Sequence, residues 1–148
     1  MTQCEIKCAL PSDIPCIADL EKLIFSDPWS ENQIIDIMQG KVSVFVLSCE
    51  GDTVGYAVLD KRIHGEAELF RIAVSPEARG KGYAAALMEK LISDAKDNGC
   101  ERIYLEVRRS NTPAIRLYGK YGFKADGVRK NYYRFPTEDA VLMSLGLA

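Results

Sequence analysis

The chain has 148 residues, 47% of them hydrophobic and 27% charged, with a formal net charge of −2. That balance is that of a soluble globular protein long enough to bury a core without disulfide or metal staples. It argues against nucleic-acid binding over the whole surface, and no apolar run approaches the roughly 18 residues of a membrane span.

Met1-Thr2-Gln3-Cys4-Glu5 lacks the basic start and apolar run of a signal peptide, so the expected location is the cytoplasm. Gln3 to Ala9 alternates polar and apolar residues as a half-buried strand does. Cys4 and Cys8 share a face of it, and the five cysteines, with no Cys-x-x-Cys pair, read as buried reduced thiols. Ser12 or Asp13 can cap a helix with Ile14, Ile17, Leu20 and Ile24 on one face. Asp27-Pro28-Trp29 breaks it, and Ser30 with Gln33 has capping-box spacing for a short second helix through Met38. Val42 to Cys49 and Thr53 to Leu59 form a hairpin around Glu50-Gly51-Asp52, and Glu66 to Val74 is a further strand stopped by Ser75-Pro76. His64, between them, is the sole histidine, which leaves no His-based zinc site and no Ser-His-Asp triad on any other histidine. A helix runs from about Gly82 to Asn98 with Gly99 as its stop, and Cys100 after that turn reads as structural. Arg102 to Val107 is a strand, Thr112 to Tyr121 a short helix, and strands near Phe123 to Lys130 and Ala140 to Leu145 close the chain. The order β-α-α-β-β-β-α-β-α-β-β, without repeats or linkers, predicts a single domain over residues 1–148. Its expected architecture is an α/β (α+β) mixed sheet flanked by helices.

The stretch Phe70-Arg71-Ile72-Ala73-Val74-Ser75-Pro76-Glu77-Ala78-Arg79-Gly80-Lys81-Gly82-Tyr83-Ala84 carries the most chemistry. A strand ends, a glycine-bearing turn follows, and a helix begins. Unpartnered N–H groups at a helix N-terminus, with glycines that permit close approach, make a site for phosphate. Arg79 and Lys81 add charge of the right sign. A Walker A loop is excluded, because no Ser or Thr follows the lysine. Gly80-x-Gly82-x-x-Ala85 imitates a dinucleotide fingerprint, but Gly80 lies six residues beyond Val74 and the acid Glu106 follows 26 residues after Gly80, where about 20 is expected. A plain helix start remains open on the residues alone. Basic residues also outnumber acidic ones between Glu101 and Arg134, which is a solvated face or a local field for a polyanionic ligand.

Arg79-x-x-Gly82-x-Ala84 after an apolar strand resembles the acetyl-CoA motif of the GNAT superfamily of N-acetyltransferases, and the element order is that of its mostly antiparallel fold. Asp27-Pro28-Trp29-Ser30, Glu66-Ala67-Glu68-Leu69, Leu105-Glu106-Val107-Arg108, Ser110-Asn111, Tyr121-Gly122-Phe123, Asn131-Tyr132-Tyr133 and Glu138-Asp139-Ala140 further resemble the RimI-like enzymes, which acetylate the N-terminal amine of a ribosomal protein. The chain departs from that pattern at Arg134-Phe135-Pro136-Thr137, where the family usually has Pro and a glycine-containing turn. The resemblance implies acetyl-CoA as donor and a protein or peptide N-terminus as acceptor, with no nucleic acid or membrane partner. A small amine or a lysine as acceptor, or a non-catalytic acyl-CoA-binding module, are the alternatives.

By the same resemblance Ile72, Ala73 and Val74 would pair with the pantetheine arm and polarise the thioester. Arg79, Gly80, Lys81, Gly82, Tyr83 and Ala84 would hold the pyrophosphate, and Asn111 would bond the CoA arm. Glu106 is the candidate general base, with Glu68 in reserve; on the residues alone, Glu106 reads equally as a solvent-facing strand residue beside Tyr104 and Arg108. Tyr118 is the candidate general acid by resemblance, and a core residue beside Leu117 and Tyr121 without it. Trp29, Tyr132 and Tyr133 either line an acceptor groove or pack.

Overall fold

The computed structural model describes residues 3–147. Its elements are β1 (Cys4–Cys8), α1 (Ile14–Ile24), α2 (Glu31–Met38), β2 (Val42–Cys49), β3 (Asp52–Asp60), β4 (Glu66–Val74), α3 (Tyr83–Asp97), β5 (Arg102–Arg108), α4 (Thr112–Lys120), β6 (Lys124–Tyr133) and β7 (Glu138–Gly146). This is the order expected from the sequence. One seven-stranded sheet runs β1-β2-β3-β4-β5-β7-β6. Every neighbouring pair is antiparallel except β4 and β5, the parallel pair joined by α3 as crossover.

Local chemistry explains the helix ends. Ser30 Oγ accepts from Gln33 N at 3.2 Å and Gln33 Oε1 accepts from Ser30 N at 2.8 Å, the capping box that the sequence predicts. After α3, Gly99 takes φ +74°, Gly99 N donates to Lys96 O, and Cys100 N donates to Ala95 O, which is a Schellman closure. The start of α1 differs from expectation. A 3-10 turn over Pro11–Asp13 precedes it, and Asp13 Oδ2 is engaged by Leu10 N at 2.7 Å instead of capping the helix.

The strict alternation of β2 and β3 feeds two cores. Phe45, Leu47, Ala57 and Leu59 face Leu87, Met88 and Leu91 of α3 and Tyr118 of α4. Val44, Val46, Tyr56 and Val58 face Ile14, Ile17 and Leu20 of α1 and Ile34 of α2. Because helices cover both faces here, these strands read as near-continuous apolar runs. Helices α1 and α2 stop short of β5 and β7, so that face of the sheet stays open.

The cysteines correct the sequence reading. Cys4 and Cys49 sit directly opposite on β1 and β2, 4.1 Å apart at Cα, and form a disulfide. Cys8 and Cys16 are exposed, and only Cys100 is the buried thiol expected. Alternation placed Cys4 and Cys8 on one face, but β1 is an edge strand whose faces are largely uncovered. The Tyr83 hydroxyl donates to Cys4 Sγ at 3.2 Å, joining this edge to the start of α3.

Glu21 is the other surprise. It lies on the apolar stripe of α1 and is fully buried, where an unpaired carboxylate would be prohibitive. It is met on every side: Arg71 Nε reaches Oε2 at 3.1 Å and Nη2 reaches Oε1 at 3.3 Å, Trp29 N donates to Oε1 at 2.8 Å, and the Tyr56 hydroxyl donates to Oε2. Burial first, then the Glu21 charge, pushes the Tyr56 phenol far above its ordinary range. The Arg71 guanidinium lies between the Phe25 and Trp29 rings, 4.1 and 4.3 Å from their centroids. The network clamps the α1–α2 loop onto β4.

Two outcomes follow. Glu21→Ala leaves Arg71 and Tyr56 without their shared partner and should cost about 3–5 kcal/mol in urea unfolding, with Glu21→Gln costing less. Thiol titration of the unfolded, unreduced chain should count three free cysteines, and five after reduction; five without reductant would remove the Cys4–Cys49 bond.

Candidate active site

Strands β4 and β5 pair only from Glu66–Arg102 to Leu69–Leu105. Beyond that point they part. The β4 edge over Phe70 to Val74 and the β5 edge over Glu106 to Arg108 face each other without a ladder, at half-buried or buried positions. A bulge starts the divergence: Val58 pairs with Arg71 and Leu59 with Leu69, so Phe70 is the extra residue. On the other side of β4, Gly55 permits close packing, since a Cβ there would lie 2.8 Å from Ala73 O. Ile72, Ala73 and Val74 are thus pressed against β3 by one edge and present polar backbone groups along the other. Such groups need a partner, and an extended amide-bearing arm fits that need.

At the end of β4, a 3-10 turn over Pro76–Ala78 leads to α3. Arg79 Nε donates to Val74 O at 3.1 Å, so its side chain closes the turn. Gly80 and Gly82 both take φ +80°, the left-handed region that favours glycine. A Cβ at either would meet nothing within 4 Å, so the space above the turn is open. The first N–H groups of α3, from Tyr83 onward, point into it with no intrahelical partner. Lys81 is exposed beside them, and Ala84 packs inward against the core. This arrangement fits a pyrophosphate.

Asn111 stands at the start of α4 at the far end of the parted strands. Its Oδ1 accepts from Ala114 N at 3.3 Å, which caps the helix and commits the side-chain oxygen. The amide nitrogen is the end left for a ligand.

On the open face of the sheet lies a cavity of about 380 Å³ lined by Asp60, Glu68, Tyr104, Glu106, Arg129 and Leu142, among others. Glu106 is half-buried there. Its carboxylate meets Arg129 Nη1 at 3.4 Å, so it is neither free in solvent nor in purely apolar surroundings. Glu68 is raised above the usual carboxylate range, first by desolvation and then by the Glu106 charge, which places the two carboxylates in one field. The hydrogen bond to Glu106 and then burial likewise hold the Tyr132 phenol up.

Tyr118 lies on the opposite side of the sheet, buried on α4 with its ring 5.7 Å from Phe123. The core reading of it holds. Burial and then Tyr133 push its phenol well above the ordinary value. Tyr133 is raised to about 12, by burial first and Glu106 next, with Arg108 and Arg71 opposing. Tyr133, at the end of β6, also stacks against the Arg108 guanidinium, whose central carbon lies 4.6 Å from its ring centroid. Trp29 serves packing, against Arg71 and edge-on to Phe70 at 6.3 Å.

Four members of the basic run between Glu101 and Arg134 have side-chain partners. Arg102 bonds Ser144 Oγ, Arg108 meets Glu138, Arg109 meets Asp139 and Arg129 meets Glu106. Sequence reasoning passed over Glu21, Arg71, Arg108 and Glu138. A lone acid on the apolar stripe of α1, and an arginine between Phe70 and Ile72 in a buried strand, were the available signals. For Arg108 and Glu138 no local signal exists, because their partners lie 26 or more residues away.

Known proteins agree with this geometry. The profile of the acetyltransferase (GNAT) family matches residues 14–123. The [ribosomal protein bS18]-alanine N-acetyltransferase of Escherichia coli K12 is 35% identical over 141 residues, covering 93% of each chain. That of Haemophilus ducreyi is 32% identical over 145 residues, covering 96% of this chain and 99% of its own. The crystal structure of the ribosomal-protein-S18-alanine N-acetyltransferase from Escherichia coli superposes with a TM-score of 0.92 at 32% identity, over 99% of this chain and 95% of that one. Matched by that profile over most of its length, and 35% identical to a relative that it covers to 93%, the chain belongs to the acetyltransferase (GNAT) family.

Proposed function

We propose that residues 1–148 form one cytoplasmic acetyltransferase domain that moves an acetyl group from acetyl-CoA to the N-terminal α-amine of a protein, a ribosomal protein being the acceptor class its relatives' names point to. The observation that carries the reading is the parted β4–β5 pair, with a phosphate-binding turn at its end and Glu106 on its open face. Acetyl-CoA supplies an activated thioester, so the protein's share is mainly binding, orientation and proton handling.

The backbone edge of Ile72, Ala73 and Val74 binds the pantetheine arm, and a backbone N–H there polarises the thioester carbonyl. The turn from Arg79 through Gly80, Lys81, Gly82 and Tyr83 to Ala84 takes the pyrophosphate. The Asn111 amide nitrogen holds the arm from the far side. Glu106 accepts the proton that the amine loses as its nitrogen bonds the acetyl carbon, directly or through a water. Tyr118 donates a hydrogen bond to the sulfur as the carbon–sulfur bond breaks. Because burial raises its phenol, donating a hydrogen bond is favoured over surrendering the proton outright. A terminal α-amine, with a pKa of about 7.7–8.0, needs only a modest base near neutrality, whereas lysine at about 10.4 needs far more. Glu106 stands half-buried on the open face, paired with Arg129 and lining the cavity that an incoming amine would enter.

Acetyl-CoA at 100 times its dissociation constant should stabilise the fold by about 2.7 kcal/mol in thermal unfolding, while NAD gives no shift; the reverse pattern would overturn the donor. Glu106→Gln should lower kcat/KM for an alanine-initiated peptide by about 10²–10⁴-fold while acetyl-CoA binding is kept. With that peptide, kcat/KM should rise with pH and level off near the α-amine pKa of about 8. A rise continuing towards about pH 10, together with faster turnover of internal lysine peptides, would transfer the assignment to lysine.

A further inference from the structure

Arg108 lies two residues beyond Glu106 on the same face of β5, and its side chain is three-quarters buried, with 24% exposure. Its guanidinium joins segments from four parts of the chain. Nη2 donates to Ser26 Oγ at 3.2 Å in the α1–α2 loop and to Arg134 O at 2.7 Å. Nη1 donates to Pro136 O at 2.9 Å and to Glu138 Oε1 at 3.3 Å. The carbon at its centre stands 4.6 Å from the Tyr133 ring centroid. Glu138 in turn accepts from Ser110 N at 2.6 Å through Oε2, and Ser110 precedes Asn111. A planar donor fork can satisfy several fixed acceptors at once, and a lysine ammonium cannot reproduce it.

The two loops that Arg108 joins flank the open face carrying Glu106. The α1–α2 loop is already clamped to β4 by Arg71. The Arg134–Thr137 segment replaces a glycine-bearing turn, and two of its carbonyls rest on Arg108. We propose that Arg108 is the positioning residue of the acceptor site: it locks the α1–α2 and β6–β7 loops into one wall beside Glu106 and, through Glu138, fixes that wall to the turn bearing Asn111. The inference rests on the α-amine reading above for the acceptor and on geometry for the clasp. An extended peptide end is the ligand such a wall suits, since a small amine would touch Glu106 without reaching both loops.

The test uses steady-state kinetics of the full chain with an alanine-initiated hexapeptide, at saturating acetyl-CoA. Arg108→Lys should raise the peptide KM about ten- to hundredfold, the range for lost charge-assisted hydrogen bonds, with kcat within about threefold. The acetyl-CoA dissociation constant should rise by less than the peptide KM, since Arg108 reaches the Asn111 turn only through Glu138. Ser26→Ala, which trims one exposed loop hydroxyl, should raise KM in the same direction by less. Unchanged KM in both, or a fall in kcat alone, overturns the proposal. If Arg108→Lys does not fold, Ser26→Ala decides by its KM alone. Amide exchange of residues 25–30 and 133–138, read without any acceptor, should quicken together in Ser26→Ala; quickening of one segment alone overturns the clasp. A wild-type enzyme active on no free-amine peptide sinks the α-amine reading and the acceptor role with it, while the exchange result still reports on the clasp itself.

Discussion

Everything in this molecule is arranged around one incomplete ladder. β4 and β5 are the only parallel neighbours in the sheet, and their pairing stops at Leu69 and Leu105. Hydrogen-bonding groups left unpaired inside a protein carry a free-energy cost unless something meets them. Phe70, the extra residue of the bulge, starts the divergence, and Gly55 lets β3 hold the far edge of β4 closely. The gap therefore persists as a slot of oriented backbone donors and acceptors. A ligand built of successive amides can complete that ladder, and the phosphate turn waits where β4 ends.

Holding such a gap open requires that its two lips be anchored independently, and the chain uses an arginine on each. Arg71 on β4 is clamped by Glu21 and stacked between Phe25 and Trp29. Arg108 on β5 gathers Ser26, Arg134, Pro136 and Glu138. In both cases the guanidinium's flat fork satisfies several acceptors while its face packs on a ring, which explains how a charge can sit so deep. The α1–α2 loop touches both arginines, so the two lips share a wall. At the opposite edge, the Cys4–Cys49 bond and the Tyr83 hydroxyl tie β1 to the first turn of α3, beside the phosphate turn.

The catalytic candidates occupy opposite sides of the same gap. Glu106 stands on the open face, where Arg129 meets its carboxylate, and Tyr118 points from α4 into the core. Tyr133 lies between their fields. The division leaves the Glu106 carboxylate facing the open cavity while the Tyr118 phenol stays shielded from water, and this shielding is what raises it.

Much of this was legible without coordinates. The β-branched run of Val42 to Cys49 and the turn at Glu50-Gly51-Asp52 dictate a hairpin, Ser30 with Gln33 dictates a helix start, and Gly80 and Gly82 dictate a turn before α3. These are short-range effects, written in neighbouring residues. The tertiary structure decided what depends on residues far apart in the chain. It paired Cys4 with Cys49 across two strands and met Glu21 with Arg71 and Tyr56. It paired Arg108, Arg109 and Arg129 from the basic run with Glu138, Asp139 and Glu106. A side chain's role in these cases is set by which partner the sheet register brings within 4 Å, and register emerges only when all seven strands are in place.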